Sequence, residues 1–393
     1  MIGIFTFDAP MYCDKNGVYC NTTVTNEMLE RFFVVVDKIY LLMRTDHIEQ
    51  TYKERHLLKL ELGDKIEVIE MPNPNTPRNF LFNGKAKSII KRYVKLADMI
   101  FLRIPSIYSN MAAEECRKIR KPYLVEVGGC AWDSYFNHSI AGKFMAPILY
   151  FAQKKTVKNA HFATYVTKVW LQNRYPTRGE QIVASNVYLN HFDNDNIERK
   201  ILRYKNDTPK RYRLGTIASV DVRYKGQEYI IRAIAKLKEQ DIHLDYDLVG
   251  AGNPNRLRKL AENLGVQKQV HFKGVKKHED IWEWLDTIDI YAQPSKQEGL
   301  PRAVIEAMNR GCMAIGSNVA GLPELLEDDM IFNATDVSQI CEIIKKLINE
   351  ECHEYRIRRN YEVSMGFKID VLEERRRRIF CNYKRVIIKP SIC

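Results

Sequence analysis

Short apolar runs rich in β-branched and aromatic residues alternate with stretches of helical period along the whole chain. In the first half the runs at residues 2–7, 38–43, 65–71, 99–103, 122–127, 162–167 and 181–184 read as strands, with helices between them. Strands that alternate with helices build a parallel sheet covered on both faces. The pattern starts again at Arg213, with strands expected at 213–218, 243–249, 269–272, 289–292, 313–317 and 330–332. The fold class is therefore α/β, with two doubly wound, Rossmann-like domains. The polar stretch 190–210 has no strong apolar period and carries Pro209 near its end, which makes it the linker, with a short helix over 196–205 left open. Domains of 1–205 and 206–370 follow. The final segment, 371–389, has a helical pattern, and its Arg375 to Arg378 run reads most simply as solvated.

The stretch 293–327 carries the most chemistry. The apolar run 288–292 stops at Pro294 and Ser295, as a buried parallel strand does at its carboxyl end. Gly299 permits close approach of backbone to a ligand, and Pro301 opens a helix as its first residue. Ala303, Val304, Ala307 and Met308 form the buried stripe, Gly311 is the left-handed cap, and 313–317 is the next strand. A helix start at the carboxyl edge of a parallel sheet points free N–H groups and the positive end of its dipole into a crevice, where phosphate is the natural guest. Two acids, Glu298 in the loop and Glu306 one to two turns inside, need another purpose. Carboxylates accept hydrogen bonds from sugar hydroxyls, so a nucleotide sugar suits the arrangement. Acids that merely complement the helix dipole are the plain alternative.

This segment resembles the Glu-x7-Glu signature of the retaining glycosyltransferases of family 4, two-domain enzymes of the GT-B fold. Leu248-Val-Gly-Ala-Gly-Asn253, Val270-His-Phe-Lys-Gly-Val275 and Gly321-Leu-Pro-Glu324 fall in that family's order and spacing. The resemblance implies a donor domain over 206–370, an acceptor domain over 1–205 facing it across a cleft, and a C-terminal helix of about 371–393 packed back on the first domain. It places Glu306 on the ribose hydroxyls and Glu298 on the transferred sugar. Gly299, Leu300 and Pro301 would line the donor, Val275 behind Gly274 would meet the base through its backbone, and Gly252 would keep the crevice floor open. Lys225 resembles the family's diphosphate-binding lysine. The family's Gly-Arg-Leu is replaced here by Gly215-Thr216-Ile217, and Arg223 is the substitute cation. Breaking a sugar to diphosphate bond builds negative charge on the leaving oxygen, which fixed cations and helix N–H groups can stabilise. No metal and no cofactor are therefore expected, and the nucleoside-diphosphate sugar serves as donor substrate.

For the acceptor the resemblance points to two loops of the first domain. One spans 10–23 with Lys15, Asn16, Gly17 and Tyr19; the other spans 128–139 and sets Trp132, Asp133 and His138 together as an aromatic platform, an acid and an imidazole. Asp133 and His138 are candidate catalytic or orienting groups, with simple exposure as the alternative. The first half departs from the family: it lacks the Gly-Gly after the first strand, and Ser185-Asn186-Val187 stands where Pro-Asn-Gly is usual. A distinct acceptor follows from that. No nucleophile is assigned, since enzymes of this kind generally show none and front-face attack helped by the leaving phosphate is the usual proposal.

Composition fits this picture and adds a partner. A chain of 393 residues with 45% hydrophobic content can fill two cores. No apolar run reaches the roughly 18 residues of a membrane span, and the amino terminus lacks a signal peptide's basic region and cleavage site, so a cytoplasmic location is expected. Nine scattered cysteines fit free thiols, with Cys130 as a small buried hydrophobe. Most of the net charge of +12 falls in residues 1–205, where Lys85, Lys87, Lys91, Arg92 and Lys95 recur at helical spacing and Lys143, Lys154, Lys155 and Lys158 interleave with Phe144, Tyr150 and Phe151. Such a surface suits peripheral contact with an anionic leaflet at the inner membrane face, or a lipid diphosphate acceptor. A solvated face is the alternative. Nucleic acid is a rival partner, but no aromatic-basic recognition motif is present and none is expected to bind. The expected function is transfer of a sugar to a glycan or lipid-linked glycan in surface polysaccharide synthesis. A nucleotide-sugar epimerase and a non-catalytic sugar-nucleotide or nucleic-acid binding protein are the rivals.

Overall fold

A computed structural model describes residues 1–55, 57–61, 63–76, 83–136, 140–206, 209, 211–350 and 353–388. The chain forms two compact units, Met1–Asn186 with Glu373–Cys393, and Val187–Leu372.

The first unit holds β1 (Ile2–Cys13), β2 (Tyr19–Asn21), β3 (Lys38–His47), β4 (Leu58–Lys59), β5 (Ile66–Met71), β6 (Met99–Ile104), β7 (Leu124–Val127), β8 (Phe162–Tyr165) and β9 (Glu180–Val183). Seven of these pair in parallel in the order β5-β3-β1-β6-β7-β8-β9. Every residue of β6, β7 and β8 is buried, as a sheet covered on both faces requires. The expected strands agree with these to within a few residues, with one difference at the start. β1 runs on to Cys13 and turns back antiparallel into β2, which in turn pairs with β4. The stretch 10–23 is therefore largely a hairpin and not an open loop.

The second unit holds β10 (Tyr212–Ile217), β11 (Leu244–Val249), β12 (Val270–Gly274), β13 (Ile290–Gln293), β14 (Met313–Ser317) and β15 (Ile331–Phe332). They pair in parallel in the order β12-β11-β10-β13-β14-β15. The order reverses between β10 and β13, which opens a crevice at their carboxyl ends.

The stretch 190–210, expected as a linker, instead contains the helix Asn194–Asn206. Its Ile197, Ile201 and Tyr204 are buried in the core of the second unit, and Lys200 donates to the carbonyls of Ile288 (2.7 Å) and Arg310 (3.2 Å). The unit boundary thus falls at Asn186/Val187, not at 205/206. Four apolar or long side chains at helical spacing were enough to bury one face despite the polar average.

The chain re-enters the first unit along the helix Ile369–Ile388. Phe380 stacks on Phe32 at 5.5 Å, and the buried Tyr383 hydroxyl donates to Pro122 O (2.8 Å) while accepting from Ile100 N (2.9 Å). The run Arg375 to Arg378 is not wholly solvated: Arg376 is buried and donates to the carbonyls of Ala184 and Ser185. Burial pulls its guanidinium down to about 10. Near it the buried Glu126 on β7 pairs with Arg31 (2.8 Å) and Arg103 (2.9 Å). Burial raises the Glu126 carboxyl, but the adjoining guanidiniums outweigh it and hold the group below its ordinary value.

Removing this one negative charge leaves two buried guanidiniums without their partner. Glu126→Gln is expected to destabilise the protein by about 3 to 5 kcal/mol, read by urea unfolding at neutral pH. Because the folded carboxyl is depressed, its contribution is full at neutral pH and is lost as the pH falls through the folded value. A loss below about 1 kcal/mol would mean that the pair is no better than its uncharged replacement.

Candidate functional site

The crevice of the second unit is shaped by two loops, 218–226 after β10 and 294–301 after β13, which lie on either side of the strand-order reversal. The loops are held against each other by backbone. Lys296 N donates to Tyr224 O at 2.7 Å, and Gly226 sits so close to Pro294 that an added Cβ would lie 1.9 Å from its carbonyl oxygen. Gly226 also has φ of 74°, in the left-handed region. Both facts require glycine there. Gly299 O accepts from Gly321 N (3.0 Å), which ties the second loop to the turn before Leu322–Glu324.

This zippering brings Lys225 onto Glu298, with Nζ 2.7 Å from Oε1. The same carboxylate oxygen accepts from Gln293 Nε2 at 2.9 Å, and both partners of the ion pair are largely shielded from solvent. Gln293 is buried at the end of β13. Its Nε2 also donates to Ser295 Oγ (2.9 Å), and its Oε1 accepts from the Tyr291 hydroxyl (3.0 Å), which accepts from Ile217 N (3.1 Å). A chain of hydrogen bonds thus runs from the backbone of β10 through Tyr291 and Gln293 to Glu298. Burial, and the nearby Glu298 and Glu306, push the Tyr291 phenol well above its ordinary value, so it remains a hydroxyl.

The helix Arg302–Asn309 begins directly after this loop. Pro301 is its N-cap, not its first helical residue, and no side chain caps it. The positive end of its dipole faces the loop and would favour an anionic acceptor there. Val304, Ala307 and Met308 are buried as expected, Ala303 is half-buried, and Gly311 closes the helix with φ of 68°. Glu306 is only 4% exposed, far more enclosed than a dipole partner on a solvated face. Leu300 packs half-buried against the core.

The remaining donor candidates line the same strand ends. Gly252 has φ of 109°, and a Cβ there would lie 2.4 Å from the Asp221 carboxylate, so the loop after β11 stays low only with glycine. Gly274 ends β12, and Val275 behind it is 74% exposed, an apolar side chain held in water at the crevice edge. Arg223 shares the turn Arg223–Lys225 but is exposed and has no ion-pair partner among the described residues.

The acceptor candidates of the first unit are less concentrated. Lys15, Asn16 and Gly17 form the exposed tip of the β1–β2 hairpin, with Gly17 at φ of 74°. Asp14 braces the tip by accepting from Asn16 N (2.9 Å), Val18 N (3.0 Å) and Tyr52 N (3.2 Å). Tyr19 donates to Glu70 (2.8 Å), and burial with that carboxylate raises its phenol to about 12. The stretch 128–139, read as a loop, contains the helix Ala131–Phe136. Trp132 is not an open platform, since Phe136 stacks on it at 5.3 Å and Tyr150 meets it edge-on at 6.3 Å. Asp133 is half-buried in the same helix. His138 lies outside the described residues. Cys130 is buried against the Tyr175 hydroxyl, and burial raises its thiol.

Two groups bear on metal binding. The sequence contains Asp-x-Asp triplets at Asp193–Asp195 and Asp245–Asp247. The first starts the helix Asn194–Asn206, where Asp193 accepts from Asn196 N, and the second lies within β11, paired with Arg211 and Trp284. Separately, Cys13, His47 and Glu70 bring donor atoms within 4.8 Å of one another in the first unit.

Sequence reading missed Gln293, which donates to Glu298, and Tyr291, which donates to Gln293. The signal was present: a glutamine ending an otherwise apolar strand must find partners once buried.

Residues 193–363 match the glycosyl transferases group 1 family. Protein CapJ of Staphylococcus aureus is 28% identical over 391 residues, covering 98% of this chain and 96% of CapJ. The lipopolysaccharide glucosyltransferase WaaG of Escherichia coli is 27% identical over 188 residues, covering 46% of this chain and 50% of its own. Among solved structures, HepE of Anabaena in complex with UDP superposes with a TM-score of 0.63 at 15% identity, covering 95% of this chain and 98% of that one. The protein is a glycosyltransferase of the GT-B fold.

Gln293→Leu is expected to leave the Tyr291 hydroxyl without its acceptor and to free Glu298 from one of its two donors. Stability should fall by about 1 to 3 kcal/mol by thermal unfolding. Activity should fall more than the affinity for donor does, because Glu298 would be misplaced and not removed. Wild-type kcat in this variant would show that the hydrogen-bond chain has no positioning role.

Proposed function

We propose that this protein is a retaining glycosyltransferase of family 4, moving a sugar from a nucleoside-diphosphate sugar to a hydroxyl of a glycan or lipid-linked glycan in surface polysaccharide biosynthesis. The observation that carries the reading is the Lys225–Glu298 pair beside the start of the helix Arg302–Asn309 at the strand-order reversal. A diphosphate needs cations and free N–H groups, and sugar rings need carboxylate acceptors; this crevice offers both within one pair of loops. The UDP-bound HepE structure and the lipopolysaccharide role in the name of WaaG support the donor class and the biosynthetic setting.

In this reading the diphosphate lies over the amino end of the helix Arg302–Asn309. Lys225 stabilises the charge that builds on the leaving oxygen, with Arg223 reaching in from the exposed side of the turn. Glu298 accepts from hydroxyls of the transferred sugar and Glu306 from the ribose. Gly299, Leu300 and Pro301 line the donor, Gly274 and Val275 meet the base, and Gly252 keeps the floor clear. The acceptor hydroxyl attacks the anomeric carbon from the face the leaving phosphate departs, and its proton passes to a phosphate oxygen. No protein nucleophile, metal or cofactor takes part. Lys15, Asn16, Gly17, Tyr19, Trp132 and Asp133 belong to the acceptor side, with Trp132 acting through the packed cluster it forms with Phe136.

A peripheral membrane association at the inner face goes with a lipid-linked acceptor. On the helix Ile140–Lys158, Phe144, Ile148 and Phe151 are 77%, 57% and 65% exposed on one stripe, which continues into Lys155 and Lys158. Large apolar side chains at that exposure beside a basic run fit an anionic leaflet. Among the described residues no helix is long and apolar enough to cross a membrane.

With a panel of nucleotide sugars, one donor should raise the melting temperature, and Glu306→Ala should abolish that shift. Lys225→Ala should lower kcat by about 100-fold or more while donor binding weakens less. The anomeric configuration of the product, read by NMR, should match that of the donor; an inverted product overturns the retaining assignment. Release of an isomerised donor without acceptor would identify an epimerase instead.

For the membrane face, Phe144→Ser with Phe151→Ser should reduce flotation with phosphatidylglycerol vesicles several-fold at unchanged thermal stability. Equal flotation of both proteins would refute this surface.

A further inference from the structure

A second recess lies in the first unit, far along the sheet from the loops that follow its strands. It opens at the amino-terminal ends of β7, β8 and β9 and has a volume of about 680 Å³. Arg117, Arg120, Lys158 and Arg178 line it, together with His161 and the aromatic side chains of Tyr123 and Phe162. Among the described residues none of these four cations has a carboxylate within 4 Å. The one acid in the lining, Glu180, accepts from Asn382 instead (2.8 Å). Lys121 lines the recess too, but its ammonium is spent on the carbonyls of Val94 and Ala97 at the end of the helix Gly84–Leu96.

Four unpaired cations around one concavity repel each other, and a concave low-dielectric wall concentrates their field. A solvated face disperses such charges; this one gathers them. Arg120 has φ of 54°, a conformation in which glycine or asparagine would be relaxed, and the sequence keeps a long cation there. Guanidinium groups suit bidentate contact with phosphate oxygens, and the aromatic and apolar part of the lining suits an organic body attached to that phosphate.

We propose that this recess is a binding site for a phosphorylated ligand, separate from the donor crevice and independent of the reading given for it. Arg117, Arg120, Lys158 and Arg178 hold the phosphate, and Tyr123 and Phe162 border the group it carries. The source is either a soluble phosphorylated metabolite or a lipid headgroup, and both present the same anion.

Inorganic pyrophosphate titrated into the full-length protein by calorimetry tests it, with crossed variants to separate this site from the donor crevice. Lys158→Glu with Arg178→Glu, both exposed and remote from the core, should weaken one class of pyrophosphate sites by at least about tenfold, or about 1.4 kcal/mol. Lys225→Ala should leave that class intact and affect only the other. If the double variant titrates as wild type does, the proposal is overturned, whatever happens to transferase activity. Phosphatidylglycerol vesicles then identify the source. Weaker partition of the double variant, with competition by free pyrophosphate, marks a headgroup site; loss of pyrophosphate binding at unchanged partition marks a soluble ligand.

Discussion

The approach of Gly226 to the Pro294 carbonyl is the constraint on which the crevice of the second unit depends. No other residue fits: a Cβ would overlap the carbonyl oxygen, and φ is positive. That contact, with the Lys296 to Tyr224 backbone bond, registers two loops that are some 70 residues apart in sequence. Lys225 immediately precedes the glycine and Glu298 lies four residues past the proline, so the ion pair follows from the backbone fit. Tyr291 and Gln293 then hold Glu298 from the strand side. Glu298 is thereby tied on one side to the end of β13 and on the other to Lys225.

The first unit depends on a different device. Glu126 is buried on β7 in a largely apolar sheet and is tolerated because Arg31 and Arg103 reach it from two other elements. Arg376, on the helix contributed by the end of the chain, lies close enough to add to the same field while capping the carbonyls of Ala184 and Ser185. Buried charge of this kind adds little net stability, but each partner is costly to lose. The same helix packs Phe380 on Phe32 and joins Tyr383 to Pro122 O, so the two ends of the sequence meet in one unit.

Much of this was legible beforehand. Parallel strands buried on both faces are written as continuous apolar runs, so nearly every strand could be located from composition alone. The helix behind Glu298 was equally clear, since Pro301 and Gly311 mark its ends by backbone geometry rather than by packing. Where the reading went astray, long-range pairing had overridden a local signal. The polar stretch 190–210 hid a helix whose few apolar residues find a core supplied by distant strands. The run of four arginines looked solvated because burial of Arg376 depends on carbonyls some 190 residues away. Trp132 looked available until Phe136 and Tyr150 closed on it.

The sequence by itself determined the two doubly wound units, the alternation that makes their sheets parallel, and the helix start flanked by two glutamates, because each rests on short-range periodicity and on the backbone limits of proline and glycine. Only the tertiary structure decided that Lys225 meets Glu298, that Gln293 donates to it, and that Lys158 and Arg178 share one recess with Arg117 and Arg120. Those are distances between residues far apart in the chain. They are set by strand order and close packing, which local pattern does not encode.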